Sequence, residues 1–142
     1  MTGFPLLALV DGRDAELWDA VVFLLPQTIA LTCLDALPPP ADCPRGPYAL
    51  LATGSAAPVV CREVAALPVP TRLVLVDPDP PTGRPGTVPA ISVLGTATAI
   101  ASLLAWKPYT TTEFEVRLRQ DRSAASQLTR DHVVDSLRLW WS

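Results

Sequence analysis

The sequence predicts an α/β protein built on a mostly parallel sheet of about six strands flanked by helices, an arrangement that three observations support. Short apolar runs alternate along the chain with segments of helical spacing. Most of those runs are continuous instead of alternating polar and apolar, as strands covered on both faces require. The stretches between them are rich in Asp, Gly and Pro, residues that punctuate elements. At 142 residues the chain has the length of one domain, and a single domain over residues 1–142 is expected, without repeat or linker.

Residues 4–10 (FPLLALV) form the first run, ended by Asp11 and Gly12. Ala15, Leu17, Trp18, Val21, Val22 and Leu25 then recur at helical spacing up to Pro26, which predicts an amphipathic helix. Residues 28–34 (TIALTCL) are β-rich, and the proline run 38–40 that follows fits neither a helix nor a central strand. Residues 48–52 (YALLA) predict a third strand broken at Gly54, and Pro58 suits the first turn of a helix continuing through 59–67. A fourth strand is expected at 71–76 (TRLVLV) and a polar Pro/Gly-rich loop over 77–89. A fifth strand follows at 90–94, then a helix over 97–106. Residues 114–118 (FEVRL) alternate apolar and charged, as in a half-exposed edge strand. The closing helix, 124–141, carries Leu128, Val133, Val134, Leu137 and Trp140 on one face.

Composition excludes several function classes. The net charge is −3 and the eleven Lys and Arg are scattered, so no nucleic-acid partner is expected. Cys33, Cys43 and Cys61 are an odd number without a CxxC pair, which speaks against a zinc site or disulfide framework and for a reducing, cytoplasmic setting. The first twelve residues lack the basic start and the apolar length of a secretory signal. The long uncharged stretch 87–106 contains Pro89 and Gly95 and predicts a strand and helix, not a membrane span. No metal, flavin or nucleotide motif is present, so no cofactor is expected.

In an open parallel sheet, ligands bind beyond the carboxyl ends of the strands. Three segments fall there: Asp11-Gly12-Arg13, Thr53-Gly54-Ser55 and Asp77. A strand, a sharp turn with Gly beside Ser, and a helix make the layout of a nucleophile elbow, and Ser before Asp is the chain order of that fold.

At these residues the chain resembles the thioesterase branch of the α/β hydrolases, which serves polyketide and nonribosomal peptide assembly. YALLATGSAAPVVCREVAAL is similar to the family's strand, GHSxGG elbow and helix, with Ser55 in the nucleophile's place. Glu63, Val64 and Ala65 fall where that helix commonly reads E-L-A. TRLVLVDPDPP resembles VVLLDxYPP and puts Asp77 on the triad acid, while VDGRDAELWDAV resembles the oxyanion loop and first helix, with Trp18 where an aromatic is usual. The resemblance implies a thioesterase-like role toward a small-molecule or carrier-bound polyketide or peptide intermediate.

The departures carry equal weight. Both glycines of G-x-S-x-G are replaced, by Thr53 and Ala57. A gapless alignment of the C-terminal segment puts Asp121 and Arg122 on the family's Asp-His, so the general base is missing from its place. The lid helices after the fourth strand and the two leading strands are missing as well.

Each candidate therefore has two readings. Ser55 is a nucleophile or a helix N-cap, and Asp77 orients a base or opens a proline-rich turn. Arg122 stays protonated, so it can pair with Asp77 or hold a substrate carboxylate or enolate but cannot act as a base. Backbone N–H groups at Ala56 and near Gly12 and Arg13, beside Gly54, supply oxyanion donors that need no histidine. His132, the only histidine, is expected on a solvent-facing turn of the last helix, where it would be inert. Two functions remain open: a noncovalent cyclisation, rearrangement or release, and a catalytically inactive binding or interaction module. An uncovered sheet edge and a 49% apolar composition predict a homodimer.

Overall fold

The computed structural model describes residues 3–10, 15–34, 36–81, 88–119 and 127–141. Six strands form one sheet: β1 (Phe4–Leu9), β2 (Ile29–Leu34), β3 (Ala49–Thr53), β4 (Arg72–Val76), β5 (Val88–Thr96) and β6 (Thr110–Arg119). The order is β2-β1-β3-β4-β5-β6 and every pairing is parallel. The helices are α1 (Ala15–Leu24), α2 (Ala56–Glu63), α3 (Ile100–Leu104) and α4 (Gln127–Trp140).

The continuous apolar runs are explained by cover on both faces. Alternate residues of the central strands enter two separate cores. Leu50, Ala52, Leu73 and Leu75 pack with Ala57 and Val60 of α2 and with Leu103 of α3. Leu6, Ala8, Leu51 and Val74 pack with Leu17, Trp18 and Val21 of α1 and with Val133, Val134 and Leu137 of α4. One indole anchors each layer, Trp18 on the α1/α4 side and Trp106 on the other, both fully buried.

Several boundaries differ from expectation. Pro89 lies inside β5 and not in the loop before it, and the ladder slips between Val88 and Ala90, where a proline that lacks an N–H is tolerated. The Thr110 hydroxyl donates within reach of the Val88 and Pro89 carbonyls, at 2.9 and 3.0 Å. The helix expected over 97–106 is a 3-10 turn followed by the five residues of α3. The helix after Ser55 begins at Ala56 with Pro58 in its first turn, as expected, but α2 stops at Glu63 and the expected run to 67 tightens to a 3-10 turn at Val64–Ala66. Eleven residues, 77–87, separate β4 from β5, too few for a pair of lid helices.

Candidate functional site at the carboxyl ends of the strands

The turns after β3 and β4 are bound together through their backbones. Gly54 N–H donates to the Val76 carbonyl at 3.2 Å, and Asp79 N–H donates to the Gly54 carbonyl at 3.0 Å. Asp77 N–H reaches across to Leu94 on β5 at 2.8 Å. Gly54 and Asp77 therefore sit side by side, and both adopt left-handed backbone, with φ of 48° and 46°. Glycine takes this conformation freely and Asp tolerates it better than most residues, which accounts for both identities.

Ser55 follows this turn as the residue before α2, with φ −70° and ψ −16°, ordinary right-handed helical backbone. The positive φ lies one residue earlier, at Gly54, so the serine is not the strained residue of the turn. Its hydroxyl makes no capping bond to α2 and the residue is exposed. Ala56 opens α2, and the N–H of a first helical residue has no partner one turn back. Asp11, Gly12, Arg13, Asp121 and Arg122 lie outside the described residues.

The Asp77 carboxylate is held by an arginine that sequence reasoning did not select. Arg119, the last residue of β6, donates from Nη2 to Asp77 Oδ2 at 2.6 Å. Its Nε donates to the Thr129 hydroxyl of α4 at 3.1 Å. The Arg119 side chain is 6% exposed and that of Asp77 30%, so the pair is anchored in the interior and opens to solvent on the carboxylate side.

His132 also differs from expectation. It is half-buried, and its Nε2 lies 3.3 Å from the Arg117 carbonyl of β6. A carbonyl only accepts, so Nε2 carries the proton and the lone pair is on Nδ1. Burial pushes the imidazole pKa below its ordinary 6.5. The positive charges of Arg119 and Arg117 act in the same direction, whereas the carbonyl and the Asp77 charge oppose them. His132 is thus a neutral ring within the field of the Asp77–Arg119 pair. The signal that could have located Arg119 is the FEVRLR pattern, which puts charged residues on one face of β6. An outward face was expected, but α4 covers it.

Chemically, the site has a carboxylate committed to a guanidinium, an unassisted serine hydroxyl at a helix start, and a neutral imidazole close to the ion pair. A guanidinium cannot take a proton at neutral pH, so Asp77 bound to Arg119 has no relay partner in that residue.

An all-parallel sheet with this strand order and helices on both faces defines a doubly wound α/β fold, and the fold is shared with two solved structures. The solved structure of RedJ with a PEG molecule bound in its active site superposes with a TM-score of 0.74 at 15% identity, over 98% of this chain and 90% of that one. The structure of ClbQ from the colibactin NRPS/PKS pathway matches with a TM-score of 0.66 at 12% identity, over 98% of this chain and 94% of that one. No protein-family model matches the sequence, and no curated protein matches it significantly.

Proposed function

We propose that this chain is a thioesterase-like protein of natural-product biosynthesis. In this reading it binds a free or carrier-bound polyketide or peptide intermediate and promotes cyclisation, rearrangement or release without a covalent acyl-serine step. The observation that carries the reading is the Asp77–Arg119 pair at 2.6 Å. The acid position of a hydrolase triad is kept, but the group it orients holds its proton permanently. Ser55 in relaxed backbone, with no capping bond, supports the same view. The family resemblance of residues 48–67 and 71–81 and the fold shared with ClbQ, a protein of an NRPS/PKS pathway, supply the biosynthetic setting. Polarisation of a substrate carbonyl then falls to backbone N–H groups at Ala56 and near Gly12 and Arg13, with Arg122 as a further cation.

The proposal includes a cytoplasmic homodimer of single-domain chains. Among the described residues no helix is long and apolar enough to cross a membrane. Phe23 is 87% exposed on α1, and β2 and β6 end the sheet. Light scattering at micromolar concentration should give twice 15.2 kDa, and a monomer mass would refute the dimer.

The deciding experiment treats wild type and Ser55→Ala with a serine-directed fluorophosphonate and locates the adduct by mass spectrometry. No adduct at Ser55 is expected. Labelling of Ser55 would overturn the noncovalent reading. Failure of the unlabelled protein to accelerate breakdown or cyclisation of N-acetylcysteamine acyl thioesters would favour the binding module instead.

A further inference from the structure

We propose that the face of β6 beneath α4 binds a carbon-bound oxyanion, the carboxylate or enolate of an acyl intermediate, between the guanidiniums of Arg117 and Arg119. Residues two apart on a strand project to the same side, so Arg117 and Arg119 share a face with Glu115. That face lies under α4: Glu115 Oε2 accepts from Trp140 Nε1 at 2.9 Å, and Arg119 Nε bonds Thr129. Each guanidinium keeps a buried N–H without an acceptor, Nε of Arg117 and Nη1 of Arg119. Buried donors are nearly always satisfied, and an unpaired one on a charged group is costly. Two such atoms on neighbouring arginines mark a place built for an acceptor.

Net charge does not carry the site. Among the described residues Asp77 pairs with Arg119, and Glu115, bonded by the neutral indole of Trp140, keeps its charge on the same face, so two carboxylates balance the two arginines. The attraction for an anion lies in the unpaired guanidinium N–H groups of Arg117 and Arg119. His132 adds no charge, because burial and the two arginines keep it neutral. The fork geometry of guanidinium suits a planar two-oxygen anion. The ligand class rests on the proposed function, while anion binding as such does not.

His132 is the only histidine of the chain and lies 3.3 Å from the Arg117 carbonyl, so its ring C–H resonance is a single reporter inside the site. The test is an NMR titration of the intact protein with sodium butyrate, sodium chloride holding the ionic strength, and a parallel titration with inorganic phosphate. A saturable shift with butyrate is expected. Arg117→Gln, which leaves the Asp77–Arg119 pair in place, should weaken it about tenfold or more, the scale of one charged hydrogen bond. Arg119→Lys keeps the charge beside Asp77 but gives up the fork, and should weaken it too. A shift that tracks salt without saturating, or one of unchanged affinity in Arg117→Gln, overturns the proposal. Tighter binding of phosphate than of butyrate also overturns it and assigns the site to a phosphate group. Ser55 labelling leaves this outcome untouched, so a protein that binds butyrate and is also labelled keeps the anion site and loses the noncovalent mechanism.

Discussion

Removing the charge of Asp77 while keeping its shape should destabilise the protein more than removing its partner. Breaking a buried ion pair by deleting one member costs about 3–5 kcal/mol, because the other charge stays buried and unpaired. Asp77→Asn leaves Arg119 in that state, with a side chain 6% exposed and tied to Thr129. The Asn amide oxygen still accepts a hydrogen bond and Asn tolerates φ 46°, so about 2–4 kcal/mol is expected. Asp77→Ala adds about 1–2 kcal/mol for left-handed backbone without a polar side chain. Arg119→Met leaves a carboxylate that is 30% exposed and can hydrate, so its cost should be about 1–3 kcal/mol, most of it from lost hydrogen bonds. Urea unfolding of wild type, both single variants and the Asp77→Asn/Arg119→Met double variant gives the cycle. The double variant should lie near Arg119→Met alone, so that the coupling takes up the whole Asp77→Asn effect, about 2–4 kcal/mol. An Asp77→Asn variant within about 0.5 kcal/mol of wild type, or additive single effects, would refute the pair as a structural element of the site.

Other outcomes follow from the same geometry. Ser55→Ala should change stability by less than about 0.5 kcal/mol in thermal unfolding, since its hydroxyl makes no capping bond, whereas a true N-cap would cost about 1 kcal/mol. Gly54→Ala should cost about 1–2 kcal/mol from its φ of 48° alone, because a Cβ there meets open space. Gly95→Ala should cost about 1–3 kcal/mol for a different reason, a Cβ 2.7 Å from the buried Leu103 side chain, and Leu103→Val should partly rescue it. The folded-state pKa of His132 is depressed, so its contribution to stability is complete above the ordinary 6.5 and is lost as pH falls from there through the folded-state value. His132→Gln should flatten the stability profile in that interval, and an unchanged profile would contradict the assignment.

How much of this was legible in the sequence follows from what each residue's environment depends on. The strands were legible because both sheet faces are covered, which turns Leu50, Leu51, Leu73, Val74 and Leu75 into unbroken apolar runs whichever face each one serves. The turns at Gly54 and Asp77 were legible for a local reason, since left-handed backbone restricts the residue that can occupy it. The short α3 and the proline inside β5 were not, because a ladder slip and a 3-10 turn depend on the strand alongside and not on the residues themselves. The partner of Asp77 was hidden most completely. It lies 42 positions away and depends on where β6 stops, which a gapless alignment to another family's motif does not register. That alignment selected Arg122, while the ion pair forms at Arg119, inside the strand's alternating pattern and not in the segment after it. The charged side of FEVRLR was expected to face solvent because charge on alternate positions usually marks an open edge. Here α4 closes over it, with Thr129, His132 and Trp140 each taking a polar contact from β6. A buried charged face on an edge strand is expensive to keep. That the chain keeps two arginines there beside Glu115, one of them paired with Asp77 and both with an unpaired buried N–H, is the physical reason to look for an acceptor beneath α4.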